Sequence, residues 1–60
     1  MDLTQEFIHE DTDGRLLLIG TEDDGRIYLS VQDHEPVLLT PEAAEEAGRQ
    51  LLARARAGRS

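Results

Sequence analysis

Residues 13–20 read DGRLLLIG and residues 24–31 read DGRIYLSV, so the same Asp-Gly-Arg start recurs after eleven residues. Each Asp-Gly pair is followed by a short apolar run rich in residues that favour strands. Asp-Gly is a preferred pair for the two-residue type I′ turn, because Gly adopts a positive φ at little steric cost. The repeat therefore predicts two successive β-hairpin corners, both of type I′, and hence an antiparallel meander.

The segments on either side of this repeat predict two further strands. A first strand is expected at about residues 3–9, where apolar and polar residues alternate imperfectly. The hairpin strands are expected at about 15–20 and 26–32. After a turn that contains Pro36, a fourth short strand is expected at about 37–40.

The stretch Thr40-Pro41-Glu42 predicts the start of a helix that runs from residue 41 to about residue 57 and stops at Gly58. Thr is a good N-cap, Pro loses no intrahelical bond at the first helical position, and a carboxylate is favoured at the positive end of the helix dipole. The apolar stripe of this helix is expected to cover one face of the sheet. It comprises Ala44, Ala47, Leu51, Leu52 and Ala55.

Together these elements predict one α+β domain of residues 1–60, an antiparallel three- to four-stranded β-meander followed by one C-terminal α-helix (ββββα). A chain of 60 residues buries only about 60% of the surface that its unfolded form exposes. It has no Cys for disulfides or a thiolate zinc site. Association with a second copy is the remaining way to stabilise so small a domain.

The charge of the chain is negative and unevenly placed. The segment through Glu46 holds all 13 acidic residues and only two Arg, for a net charge of −11, and the four Arg after it give +4. A negative field repels phosphate backbones, so direct binding of nucleic acid is not expected. Many of the carboxylates cluster at the two hairpin corners. This acidic corner set is Asp11, Asp13, Glu22, Asp23 and Asp24.

Apolar residues occupy both faces of the predicted strands. The four consecutive residues from Leu16 to Ile19 are all apolar, and so are the three from Val37 to Leu39. One helix can cover only one face of a sheet, so the other face is expected to be an exposed apolar patch, which is typical of an interface. A symmetric homodimer, with sheet against sheet or with exchanged helices, would bury it. The predicted interface residues are Ile8, Leu17, Ile19, Tyr28 and Leu38.

No pattern in the chain predicts catalysis, a cofactor or a metal site. Nothing in the spacing of the two His residues, His9 and His34, brings them together as zinc ligands. When Gly14 or Gly25 is aligned to the glycine of a calcium-binding loop, the position that needs a bidentate Glu holds another residue. There is also no nucleophile elbow and no glycine-rich phosphate loop. The protein is therefore expected not to be an enzyme.

The first ten residues lack the basic and apolar regions of a signal peptide. No apolar run approaches the roughly 20 residues that span a bilayer. A cytoplasmic location without membrane attachment is therefore expected.

The stretch from Tyr28 to Leu52, with Pro36–Ala43 (PVLLTPEA) at its centre, resembles the carboxyl half of small uncharacterised proteins of actinobacteria and their phages. In these, a strand leads through Leu-Thr-Pro-Glu into a terminal helix. The resemblance implies an accessory partner of a helix-turn-helix regulator, although Ala43 and Ala44 stand where those proteins have a bulky aromatic residue. All six basic residues are Arg, which is consistent with a high-GC genome.

These observations predict a small non-enzymatic protein-interaction module, homodimeric, with an accessory or regulatory role and an unidentified protein partner. The alternative is an acidic DNA mimic that inhibits a nucleic-acid-binding protein. Mimicry requires carboxylates on one surface at phosphate-like spacing. The two Asp-Gly corners of a meander are expected at opposite ends of the middle strand, which favours the interaction module.

Overall fold

The computed structural model describes residues 3–59. Its elements follow the chain as four strands and one helix: β1 (Phe7–Glu10), β2 (Leu16–Thr21), β3 (Ile27–Val31), β4 (Val37–Leu39) and α1 (Pro41–Gly58). The strands form one antiparallel sheet in the order β1-β2-β3-β4. The predicted ββββα fold class is confirmed, with four strands rather than three.

Strand β1 is shorter than the predicted strand at residues 3–9. It begins at Phe7, and residues 3–5 form a turn and a bend. Its pairing with β2 runs from Phe7 opposite Ile19 to Glu10 opposite Leu16. The polar run from Thr4 to Glu6 offers no apolar cross-strand pair that would stabilise a longer ladder.

Each of the two Asp-Gly hairpin loops contains three residues. In the first loop the Asp11 N–H donates to the Arg15 carbonyl at 2.9 Å, and the Gly14 N–H donates to the Asp11 carbonyl at 3.1 Å. The second loop, Glu22–Arg26, repeats both bonds at 2.8 and 3.0 Å. The pattern is that of a type I turn followed by a left-handed residue.

The prediction of type I′ turns is therefore wrong. Gly14 has a φ of 82° and Gly25 a φ of 91°, whereas Asp33 is the only non-glycine residue in the described chain with a positive φ, 70°. A type I′ turn would also place Asp13 and Asp24 at positive φ, which costs roughly 1–2 kcal/mol for a residue with a Cβ. In the three-residue loop, only the glycine adopts a positive φ.

Helix α1 begins as the sequence predicts. The Thr40 Oγ1 accepts a hydrogen bond from the Ala43 N–H at 3.1 Å, and Pro41 occupies the first turn. The helix ends at Gly58, one residue beyond the predicted end, where the Arg59 backbone N–H caps the carbonyls of Arg56 and Ala57. Local sequence signals define the start of the helix and locate its end to within one residue.

The expectation that α1 covers a face of its own sheet is wrong. Its contacts with the sheet are concentrated at β4, the strand that it directly follows. None of residues 3–59 is buried, and Leu51 and Leu52 of the helix stripe are 65% and 46% exposed. A single residue, Thr40, connects β4 to α1. The N-cap bond and the fixed φ of Pro41 leave this connection little freedom to fold the helix back over the sheet.

Candidate interaction surface

The strand register assigns every strand residue to one of two faces, because residues directly opposite each other in an antiparallel pair share a face. What we call the apolar face carries eight apolar residues and only two polar ones. Its members are Phe7, His9, Leu17, Ile19, Thr21, Ile27, Leu29, Val31, Val37 and Leu39. The opposite face, which we call the tyrosine face, is more mixed. Its members are Ile8, Glu10, Leu16, Leu18, Gly20, Tyr28, Ser30 and Leu38.

Two shallow grooves open on the apolar face, near its opposite ends. One, of about 490 Å³, is lined by Leu17 and Leu29 together with side chains from the ends of β3 and β4. The other, of about 420 Å³, is lined by Phe7, Ile19 and Ile27 and by residues that precede β1. Apolar grooves open to solvent are suited to receiving apolar side chains of another protein surface.

On the tyrosine face, the Tyr28 side chain contacts two other segments of the chain. Its ring lies over Gly20 on the neighbouring strand, where an added Cβ would overlap the ring. The Tyr28 hydroxyl donates a hydrogen bond to the Glu6 carboxylate. This bond, followed by partial desolvation and the negative charges of Glu6 and Glu22, raises the pKa of the Tyr28 hydroxyl. The largest side chain of this face is thus engaged within its own chain.

The five predicted interface residues do not lie on one surface. Leu17 and Ile19 belong to the apolar face, whereas Ile8, Tyr28 and Leu38 belong to the tyrosine face. The sequence could not separate them, because β2 and β4 are apolar at consecutive positions. Without an alternation of apolar and polar residues, the pattern does not show which side chains share a face. The register shows that any one flat interface contains at most part of the predicted set.

The acidic residues of the first hairpin corner are held by local bonds. Asp11 Oδ1 accepts from the backbone N–H groups of Asp13 and Arg15, each at 2.9 Å. The Arg15 guanidinium donates to Asp11 Oδ2 at 3.0 Å and to Asp13 Oδ2 at 3.1 Å. The bond from the Arg15 backbone is the main reason why the pKa of Asp11 is lowered.

The second corner repeats this arrangement in a simpler form. Asp24 Oδ1 accepts from the Arg26 N–H at 3.0 Å, and the Arg26 Nε donates to Asp24 Oδ2 at 2.8 Å. The backbone bond from Arg26 is again the main cause of the lowered pKa of Asp24. Glu22 closes the loop through its backbone, and Asp23 lies at the tip. Three of the five acidic corner residues therefore neutralise an Arg of their own loop.

The two corners lie at opposite ends of β2, as the meander predicts. His9 lies on β1, and His34 lies in the turn after β3, where it lines the larger groove. Within residues 3–59 there is no group of three or more His, Asp or Glu side chains placed to hold a metal ion. In the same range, no helix has the length and apolar character needed to cross a membrane.

The chain as a whole exposes more surface than its mass requires. A compact protein of 6.7 kDa exposes about 3,900 Å² by the general scaling of area with mass. This chain exposes 5195 Å². Its radius of gyration is 12.6 Å, against about 10 Å for a compact domain of this length. Of the eight large hydrophobic residues that are exposed among residues 3–59, five lie on the apolar face or the helix stripe, Ile8 and Leu38 lie on the tyrosine face, and Leu3 precedes β1.

Sequence reasoning missed that the helix stripe is itself an uncovered surface. The stripe was expected to be the inner side of a helix packed on its own sheet, and its residues are half-exposed or exposed instead. The one signal in the sequence is the shortness of the connection at Thr40. Comparison of the chain with known proteins finds no matching family model, no similar curated protein and no similar solved structure.

Proposed function

We propose that this protein is a small non-enzymatic interaction module that acts in the cytoplasm as a homodimer. The observation that carries the proposal is that none of residues 3–59 is buried, although the sheet has one face with eight apolar side chains. A domain without a core of its own needs a second surface for stability, because apolar burial is the dominant favourable term in folding.

The area that the chain exposes is in the range that association would cover. Its excess over a compact protein of the same mass is roughly 1,300 Å². A standard interface buries about 800 Å² per partner, and obligate homodimers bury more. Covering the apolar face and the helix stripe would therefore match an obligate dimer better than a transient contact.

Sedimentation equilibrium over a range from nanomolar to micromolar concentration tests the proposal. We expect a mass of twice 6.7 kDa at micromolar concentration, with loss of helix and sheet signal in circular dichroism as the dimer dissociates on dilution. Coupled loss is expected because obligate dimers often have no stable folded monomer. A folded monomer of 6.7 kDa at all concentrations would overturn the proposal.

An accessory or regulatory role through a further protein partner belongs to the same proposal, supported by the resemblance of residues 28–52 to small actinobacterial and phage proteins. Pull-down from source cells followed by titration at two salt concentrations tests it. An apolar contact should hold its affinity as salt rises, whereas a DNA mimic should lose it, because exposed charge pairs are screened within about 8 Å at physiological salt. The Asp-Arg pairs within each corner, and the corners' placement at opposite ends of β2, give mimicry less support.

A further inference from the structure

Each chain presents two uncovered apolar surfaces of complementary kind. One is the apolar face of the sheet, where Phe7, Val31 and Val37 are 54%, 42% and 58% exposed. The other is the helix stripe, with Leu51 and Leu52 exposed near its middle. Helix against sheet is one of the few layer arrangements by which proteins bury such surfaces. The same chain supplies both halves of one layered core but does not bring them together.

The connection between the two surfaces is short, and α1 contacts mainly β4 of its own sheet. Thr40 is the only residue between Leu39 of β4 and Pro41 of α1. Its Oγ1 bond to the Ala43 N–H holds the first helical turn in place. Short, constrained connections favour the exchange of an element between copies, because the element can reach a second molecule more easily than its own.

The charges of the two surfaces are also complementary. The chain before α1 holds ten acidic residues and two Arg, for a net charge of −8, whereas α1 after Glu46 carries three Arg and no acidic residue and is capped by Arg59. Arg49 is paired with Glu45 and Glu46 of its own helix. Arg54 and Arg59 lie further along, towards the end of the helix. A basic helix end placed over an acidic sheet rim gains favourable long-range attraction, which mainly determines orientation.

We infer that, in the homodimer, helix α1 of each copy lies across the apolar face of the other copy, in a reciprocal two-fold arrangement. This inference rests on the proposed function, since it specifies how the two copies meet. An 18-residue helix is about 27 Å long. The longest strand has six residues, which span about 20 Å. One helix can therefore cross the whole face, with Leu51 and Leu52 near its middle directed at the sheet.

Because the chain contains no Cys, engineered disulfides give an unambiguous test. A Leu29→Cys chain has its single thiol on the apolar face, and a Leu51→Cys chain has its single thiol on the helix stripe. The two are mixed under reducing conditions at micromolar concentration, allowed to exchange, oxidised and analysed by mass spectrometry. We expect the mixed disulfide to exceed either homodisulfide by about tenfold, since a disulfide needs Cα atoms within about 7 Å.

Matched controls use neighbouring positions on the opposite surfaces. Ser30→Cys places the thiol on the tyrosine face, and Ala53→Cys places it on the side of the helix away from the stripe. Pairing Ser30→Cys with Leu51→Cys, or Leu29→Cys with Ala53→Cys, is expected to give only the slow random background. Mixed disulfides in equal yield from these pairs would overturn the inference.

The remaining outcomes separate this inference from the proposed function. A predominant Leu29→Cys homodisulfide would mean that the sheets face each other, and a predominant Leu51→Cys homodisulfide would mean that the helices pair. Either result overturns helix exchange and leaves the dimer in place. In a chain that carries both changes, exchange gives a covalent dimer on a denaturing gel. Internal closure of that chain to a monomer, with monomeric sedimentation of the wild type, would overturn both.

Discussion

The two faces of the sheet differ in the side-chain contacts that join their strands. On the tyrosine face, one ring from β3 lies over Gly20 of β2, and its hydroxyl bonds to Glu6 before β1, so three consecutive segments are joined within the chain. On the apolar face, within residues 3–59, no side-chain hydrogen bond joins two strands, and two grooves stay open. Both faces keep exposed apolar side chains, Ile8 and Leu38 on the tyrosine face among them. The difference is that a polar contact joins the strands on one face, whereas the other face carries more apolar side chains and both grooves.

The largest effect is expected from a charge on the apolar face. Leu29→Glu should weaken self-association by about 100-fold or more, because a carboxylate would be desolvated in the interface without a partner. Ser30→Glu, one residue along β3 and on the tyrosine face, is the matched control and should change the dissociation constant by less than about threefold. Sedimentation measures both, and equal losses would show that the two faces are not distinct.

A second, smaller effect should follow from a methyl group on the tyrosine face. Gly20→Ala should destabilise the protein by about 1–3 kcal/mol, because the new Cβ would displace the Tyr28 ring. In a Tyr28→Ser background the same change should cost little, so a double-mutant cycle in urea should show strong coupling. If the two substitutions were additive, the ring would not rest on Gly20.

The two hairpin loops fix the register of the strands. A shift of one residue in register would move the side chains of a strand from one face of the sheet to the other. Gly14→Ala and Gly25→Ala should each destabilise the fold by about 1 kcal/mol. Both positions are open in space, so the cost comes from the positive φ alone. Thermal melts in which either variant is as stable as the wild type would contradict this.

The smallest effect concerns the ionisation of Tyr28. The chain has one Tyr and no Trp, so absorbance follows this phenol directly, and its pKa should lie above the ordinary value of about 10. Glu6→Ala should lower the pKa towards that value, whereas Glu10→Ala should leave it nearly unchanged. Because folding raises the pKa, the bond stabilises the fold fully below the unfolded value and is lost as pH rises through the raised one. An ordinary pKa in the wild type would mean that the bond to Glu6 does not form in solution.

Much of the fold follows from signals of short range. Thr40-Pro41-Glu42 predicts the helix start because capping and the fixed φ of Pro act within one turn, and the Asp-Gly pairs locate both corners. The turn type was mispredicted because Asp-Gly suits two loop lengths, and the closing pairs Asp11–Arg15 and Glu22–Arg26 decide between them. The predicted interface residues fall on both faces for a related reason. A strand that is apolar at consecutive positions has no alternation of apolar and polar residues that would assign its side chains to a face.

The sequence by itself determined the order of elements, the hairpin corners, the helix and the uneven charge, because each depends on neighbouring residues or on composition. Only the tertiary structure decided the register, the bond that joins Tyr28 to Glu6 and the exposure of the helix stripe. These depend on where separate segments meet, and α1, which follows β4 after the single residue Thr40, contacts mainly that strand and does not cover the sheet face that its stripe would fit. The apolar pattern requires burial, but it does not specify whether the covering surface comes from the same chain.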